Sequence, residues 1–350
     1  MTRLIIIGGG RMAATHAAAF KAIAGVQLVG LVETDPGRRA AFAAEHAIPN
    51  QFDDLDSALA WGQFDAAANV TPDAMHYDTT MQLIAAGKHV FCEKPLATEY
   101  AKARELTDAA QQAGIINMVN LTFRSMATLN KAHEIAASGA LGNIRHFEAS
   151  CLQSWLVGNY WGDWQTEQMF LWRLSSAHGS KGAVGDLGIH IVDAATYAAA
   201  SDIASMSPRT KTFDKAPGGR IGEYVFDAND SFIAIAELNN GALGTIQATR
   251  FATGFANELR IVVHGDKGAL LLQGGAEGDK LSICQGADVH TNAWKVVDCP
   301  PVLSNYQKFA AAIASGINGD PDFARAAIIQ QALDRIIADG AAPVSVLETA

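Results

Sequence analysis

Four consecutive apolar residues, Leu4-Ile5-Ile6-Ile7, run directly into Gly8-Gly9-Gly10-Arg11-Met12-Ala13, and a helical stretch bearing Ala17, Ala18, Phe20 and Ile23 follows. No other stretch of the chain constrains its fold as tightly. An all-apolar strand of this kind suits the buried centre of a parallel sheet. The glycines match G-x-G-x-x-A, and the order strand, turn, helix separates a dinucleotide-binding turn from a chance glycine cluster. In such a turn Gly8 permits the tight bend and Gly10 lets the backbone approach a pyrophosphate. Ala13 lets helix and strand pack closely. Arg11 and Met12 complete the turn at a helix N-terminus, where backbone amides and the helix dipole favour phosphate.

The second strand, Val26 to Val32, ends in Glu33. That acid stands about 20 residues beyond Ala13, where a carboxylate takes the ribose hydroxyls of NAD and repels the 2′-phosphate of NADP. NAD is therefore the expected cofactor, with NADP second. Arg38 and Arg39 follow and either reach a phosphate or solvate the next helix. A further apolar strand, Phe64 to Val70, ends at Thr71-Pro72-Asp73, with a helix from about Ala74 to Ala86. Pro72 and Asp73 suit a helix start. His76, one turn in, either faces the cofactor or serves the structure. Gly87 opens Lys88-His89-Val90-Phe91-Cys92-Glu93-Lys94-Pro95. Pro95 has no N–H and ends the strand, so Glu93 and Lys94 are delivered to its carboxyl end, the edge where open α/β sheets bind ligands. Thr98 is expected to cap a helix running to about Ala113, and Ile115 to Val119 closes the sheet. The alternation reads as right-handed βαβ units, an α/β doubly wound parallel sheet over residues 1–120.

From about Asn120 the rhythm changes, and residues 121–350 read as an α+β domain on an open, mainly antiparallel sheet. A helix from about Met126 to Ala137 precedes strands at Asn143–Gln153, Ser231–Leu238, Leu243–Arg250, Glu258–His264, Ala269–Leu272 and Leu281–Cys284. Asn239-Asn240-Gly241-Ala242 is a strong hairpin signal, and Gly265-Asp266-Lys267-Gly268 a second turn. Helices at about Leu303–Ser315 and Phe323–Ala338 precede a short strand, Val344-Ser345-Val346.

Composition narrows the function classes. The 350 residues carry a formal net charge of −10, with a pI near 5.4, against nucleic acid or an anionic membrane as partner. No apolar run approaches the roughly 20 residues that span a bilayer. The N-terminus passes straight into the glycine turn with no signal-peptide h-region. Cys92, Cys151, Cys284 and Cys299 are scattered without metal-ligand spacing, so no metal is expected and a reduced cytoplasmic compartment is the simplest account.

Two features lie between the strands. Trp155, Tyr160, Trp161, Trp164, Phe170 and Trp172 crowd one stretch that holds four of the six tryptophans. Such rings stack on sugar faces, or pack a loop or a subunit contact. Trp172-Arg173 lies nearest the next motif and is the pair expected by the substrate. That motif, Gly185-Asp186-Leu187-Gly188-Ile189-His190, opens a helix to about Ala200. Asp186 and His190 are four apart and share a helix face, and a carboxylate beside a histidine fixes its tautomer and improves it as a proton acceptor.

Together these residues resemble the glucose–fructose oxidoreductase / inositol dehydrogenase (Gfo/Idh/MocA) family along nearly the whole chain, most specifically in Gly87 to Leu96 and Gly185 to His190. The resemblance implies that Lys94 and His190 flank a reacting carbinol with Asp186 in support. It implies substrate contacts from Asn120 and Arg124, and nicotinamide contacts from Thr71, Pro72 and His76. It also implies an NAD-dependent dehydrogenase for a sugar, anhydrosugar or cyclitol. The Trp172-Arg173 region looks most like inositol- and levoglucosan-type members. Thr122-Phe123-Arg124-Ser125 departs from the family's common pattern there. Two rivals remain: a glycoside hydrolase that retains NAD, and a sensor of NAD or sugar without turnover. Lys94, Asp186 and His190 argue against the sensor. A homodimer or homotetramer through the second domain's sheet is the expected assembly.

Overall fold

The apolar run at the N-terminus is buried because strands flank it on both sides. In the computed structural model, which describes residues 1–341, β1 (Thr2–Ile7) lies between β2 (Val26–Val32) and β4 (Ala66–Asn69). With β3 (Asn50–Phe52), β5 (His89–Cys92) and β6 (Asn117–Val119) they form a parallel sheet of order β3-β2-β1-β4-β5-β6. The order reverses between β1 and β4, which makes the carboxyl edge there the ligand-binding crevice of this topology. The fold expected from the alternation is therefore the observed one. β3 is the strand that the apolar pattern does not reveal. It has three residues, two of them polar, and pairs only with β2.

Contacts divide the chain into two units, Met1–Arg124 with Leu303–Gln331, and residues 125–302 with 332–341. The expected boundary at 120/121 thus moves to 124/125, and a C-terminal segment returns to the first unit. The cause is aromatic packing. Phe309, Ala312 and Tyr306 from the helix Asn305–Ser315 join Phe20, Phe91 and Met118 in one core. Phe20 meets Phe91 and Tyr306 edge-on at 5.3 and 5.1 Å, a favoured geometry for aromatic pairs. Helical periodicity marks that helix but does not say which sheet it covers.

The second unit holds an eight-stranded sheet, β16-β15-β14-β13-β7-β12-β11-β8. Its strands are β7 (Ile144–Gln153), β8 (Ile203–Lys211), β11 (Ser231–Leu238), β12 (Leu243–Thr249), β13 (Asn257–Gly265), β14 (Gly268–Gly275), β15 (Gly278–Gln285) and β16 (Lys295–Val296); β9 (Arg220–Ile221) and β10 (Tyr224–Val225) form a separate ribbon. Only β7 with β12 is a parallel pair. Alternation is strict in β11, where Phe232, Ala234, Ala236 and Leu238 are buried while Ile233, Ile235 and Glu237 are exposed. The 239–241 loop closes with Gly241 at a φ of 80°, the left-handed region that glycine enters without a Cβ penalty. The apolar pattern does not reveal β8, a polar strand at the edge of the described sheet, and its Pro208 is tolerated where one side needs no donor. Helices Ala127–Ala137 and Ile189–Ala198 pack together, with His133 stacked on Tyr197 at 3.9 Å.

Two local expectations change. The helix expected to be capped by Thr98 begins at Tyr100 with Glu99 at its N-cap and no side-chain cap. The helix expected from Ala74 begins as a tight turn, Asp73–Met75, and becomes α-helical at His76. The Val344–Val346 strand lies outside the described residues. No described helix is long and apolar enough to cross a membrane. All four cysteines are free thiols, and Cys92, Cys151 and Cys284 are buried.

Candidate active site

In the first unit the site grows from the glycine turn. Gly8 has a φ of +97°, and a Cβ there would stand 2.6 Å from the Val70 carbonyl oxygen, so any other residue would force the turn apart. Gly10 is different, since a Cβ there would meet nothing within 4 Å. The space over Gly10 is the cradle a dinucleotide phosphate needs, and the helix Arg11–Lys21 begins there with no side-chain cap on its first amides. Those amides are the donors a pyrophosphate would take. Ala13 is fully buried against the sheet and Met12 is exposed. The residues present therefore fit a dinucleotide.

Glu33 is nearly buried at the end of β2. Its carboxylate accepts from the Gly9 N–H at 2.8 Å and the Asp35 N–H at 2.9 Å, and pairs with Arg38 at 3.0 Å. Burial opposes the charge, but Arg38 and the two amides outweigh it and hold the carboxyl down to about 2. Of the two roles open to Arg38 and Arg39, the structure adds a third. Arg38 neutralises Glu33, and Arg39 donates to the Glu33 carbonyl at 2.6 Å.

At the ends of β4 and β5 the side chains are densely paired. Thr71 donates to Asn69 Oδ1 at 2.7 Å, and Asn69 donates to Thr80 at 3.0 Å. Glu93 is buried, with Oε1 at 2.7 Å from both His16 Nε2 and Asn120 Nδ2. Its Oε2 accepts the Lys94 N–H at 3.1 Å. Burial pushes the Glu93 carboxyl up, and the bonds from His16 and Asn120 with the Lys94 charge reverse that, leaving it at about 2. Lys94 thus stands directly after a strand whose last acid is locked inward.

Three expected ligand contacts are committed within this unit. Asn120 is buried and also donates to the Tyr306 hydroxyl at 3.3 Å. Arg124 is buried in an ion pair with Asp320, and its carbonyl accepts from Lys308 at 3.0 Å. His76 is fully buried. Pro72 sits at the turn beside it.

In the second unit Asp186 lies in a π-helical turn, Val184–Gly188, that runs into the helix carrying His190. Asp186 Oδ2 pairs with Arg250 at 3.2 Å and faces Arg173 Nε at 3.9 Å, with its side chain 30% exposed. Arg250 is fully buried. It donates to the Arg173 carbonyl at 3.1 Å, and its guanidinium lies 4.9 Å from the centre of the Trp155 ring. Burial pulls that guanidinium's pKa down while Asp186 and Asp230 oppose the fall. Trp172 is part-exposed, with the Arg173 guanidinium 4.6 Å from its ring centre, so of this pair Arg173 is the residue beside Asp186. The other aromatics divide. Trp155, Trp164 and Phe170 are buried in a satellite core with Leu174 and Phe226, whereas Tyr160 and Trp161 reach solvent.

His16, Arg250, Lys215 and Asp230 are buried polar side chains that lie outside the motifs of the sequence. His16 lies with Ala13, Ala17 and Phe20 on the buried face of one helix, a spacing that was legible. Arg250 has the same parity as buried Ile246 and Ala248 just beyond β12, which was its signal. Lys215 and Asp230 form a buried pair at 2.7 Å that no local pattern announces. No cluster of three or more metal-ligating side chains occurs among the described residues.

Comparison with known proteins matches both parts of the chain. Residues 2–121 match a family profile described as an oxidoreductase family with an NAD-binding Rossmann fold, and residues 129–271 match the GFO/IDH/MocA C-terminal domain. A levoglucosan dehydrogenase from Pseudarthrobacter phenanthrenivorans is 26% identical over 76% of this chain and 72% of its own length. A D-glucoside 3-dehydrogenase from Escherichia coli is 26% identical over 77% of this chain and 76% of its own. The fold superposes on a levoglucosan dehydrogenase in complex with NADH and levoglucosan, at a TM-score of 0.85 and 23% identity over 97% of both chains.

Proposed function

Because the chain belongs to the GFO/IDH/MocA oxidoreductase family, we propose that Lys94 and His190 act together on one secondary hydroxyl of its substrate. The protein is an NAD-dependent dehydrogenase for a sugar, anhydrosugar or cyclitol. NAD, when bound, supplies the hydride acceptor. His190 takes the hydroxyl proton as hydride leaves the same carbon, and Asp186 orients the imidazole. Lys94 donates a hydrogen bond to the carbinol oxygen and stabilises charge developing there. A neutral imidazole near pH 7 is closer to an ideal base than an ordinary lysine at about 10.4.

Gly8, Gly10, Arg11, Met12 and Ala13 would hold the pyrophosphate, Glu33 the ribose, and Thr71, Pro72 and Glu93 the edge where the nicotinamide half lies. Asn120 and Arg124 shape the substrate side by fixing Glu93 and the segment after β6, and Trp172 with Arg173 covers the substrate. The observation that carries this reading is the locked Glu93, which presents Lys94 at the carboxyl edge of the sheet containing the glycine turn. The testing experiment is an NADH-formation screen across inositols, pentoses, hexoses and anhydrosugars, with NAD and NADP in parallel. Turnover of one polyol class with NAD is expected. No NADH formation with any of them would overturn the reading.

The cytoplasm is the compartment we propose, in keeping with four free thiols. For assembly we propose a homodimer or homotetramer through the sheet face bearing exposed Ile233, Ile235 and Leu243. Light scattering on Ile235→Glu should show a smaller particle than the wild type.

A further inference from the structure

The two nitrogens of the His76 ring each face a backbone carbonyl. Nδ1 is 2.6 Å from the Pro95 oxygen and Nε2 is 2.8 Å from the Thr71 oxygen. A carbonyl oxygen has no hydrogen to give, so each contact is a hydrogen bond only if the nitrogen donates. A neutral imidazole carries one N–H, and only the imidazolium carries two. The ring is fully buried, so water cannot stand in for either partner. A neutral tautomer would set a bare nitrogen lone pair against a carbonyl oxygen at hydrogen-bond distance inside the protein, an arrangement that costs the desolvation of both acceptors.

We propose that His76 is held as a buried imidazolium that clasps the loop after β4 to the loop after β5, and so positions Lys94 rather than touching the cofactor. The geometry of the two loops supports this role. Thr71 leaves β4 and Pro95 follows Lys94 directly, so the ring ties the two segments expected to border the nicotinamide. Lys94 is then fixed on both sides, its own N–H by Glu93 and the next carbonyl by His76. Both ring nitrogens are used, which leaves the ring no polar atom for a ligand.

Two titratable groups face the ring: Asp73 is an anion, and Cys92 is a hydrogen-bond partner of the ring. Cys92 comes from β5 and Asp73 from the turn just before the helix. Burial alone would push the imidazole down, but Cys92, the Pro95 carbonyl and Asp73 outweigh it and raise the group to about 10. The helix dipole opposes this, since His76 opens the helix His76–Ala85 and a cation is disfavoured at an N-terminus. Two carbonyls at close range offset that effect. The sign for stability follows from a folded pKa above the unfolded 6.5. The stabilisation is fully present below pH 6.5 and is lost as pH rises through about 10.

The positioning role rests on the dehydrogenase reading above, whereas the protonation state does not, and two measurements separate them. Nitrogen-15 spectra of the histidine rings in the whole protein should show the His76 ring still protonated on both nitrogens at pH 8.5, where an ordinary histidine at about 6.5 is neutral. That signal should vanish in His76→Gln, or shift in Cys92→Ala should the first variant not fold. A ring at His76 with one bare nitrogen at pH 7, or one that titrates near pH 6.5, would overturn the imidazolium whatever the enzyme's activity. In kinetics, His76→Gln should lower kcat on the order of tenfold to a hundredfold, as expected when a reacting group is slightly misplaced, with the KM for NAD nearly unchanged. A raised KM for NAD with normal kcat would return His76 to direct cofactor contact and overturn the positioning role.

Discussion

Glu93 and Asp186 are both carboxylates set among positive or donating groups, yet the two units treat them differently. Glu93 is buried beneath the carboxyl edge of a parallel sheet, where His16, Asn120 and one backbone amide occupy both its oxygens. His16 is itself packed among Phe20, Phe91 and Tyr306. Asp186 stands at the surface of the second unit, 30% exposed, with two guanidinium groups beside one oxygen. The first carboxylate is closed inward and holds a neighbour in place. The second is anchored from behind by a fully buried arginine and stays part-exposed. Charge alone does not separate the two carboxylates; what separates them is how deeply each is buried.

The largest effects should come from the groups that the two carboxylates serve. Lys94→Met and His190→Ala should each lower kcat/KM by about 10² to 10⁴, the usual worth of general acid–base catalysis. The pH profile separates their roles. Loss of the low-pH limb in His190→Ala and its retention in Lys94→Met would fit histidine as base, and the reverse pattern would exchange the assignments.

Next in size is the anchor behind Asp186. Arg250→Met removes the buried partner of the part-exposed Asp186, which costs about 1.5 to 3 kcal/mol, read as a lower urea midpoint. Combining it with Asp186→Asn should recover part of that loss. Wild-type stability in Arg250→Met would show that Arg250 does not anchor Asp186 and erase that half of the comparison.

Glu93 tests the closed side of the comparison through pH. Its folded pKa is depressed from 4.5 to about 2, so its stabilisation is present above pH 4.5 and is lost as pH falls through about 2. Relative to Glu93→Gln, the wild type should be more stable by roughly 3 kcal/mol at pH 7, a gap that closes between pH 4.5 and 2. A gap independent of pH would show that the carboxylate charge is not what the network stabilises. The smallest effect concerns cofactor choice. The wild type should prefer NAD over NADP by about tenfold in kcat/KM, or 1.4 kcal/mol, and Glu33→Ser should narrow that preference. Equal use of both cofactors by the wild type would remove Glu33 from the discrimination.

Much of the fold was legible because it rests on local periodicity. The apolar run before Gly8, the small residues at Gly8, Gly10 and Ala13, and Lys94 at the end of an apolar strand each follow from which neighbours a strand or turn can accept. The alternation in β11 and the Asn-Gly hairpin after it are legible for the same reason. Helical spacing is what singles out Asp186 and His190, and proximity to them in sequence is what singles out Trp172-Arg173.

What the sequence could not decide was pairing across long separations. Asn305–Ser315 reads as an amphipathic helix, but only the packed core shows Phe309 and Tyr306 against Phe20 and Phe91, all more than two hundred residues away in the chain. Arg250 at the end of a strand meets Asp186 from a helix, and His16 meets Glu93. His76 reads as a lone histidine until its two carbonyl partners, from different loops, are seen together. Periodicity states which face a residue turns inward, and burial makes an unmatched polar group costly. The identity of the match depends on which distant segment the chain brings to that face, and that is settled only by the tertiary structure.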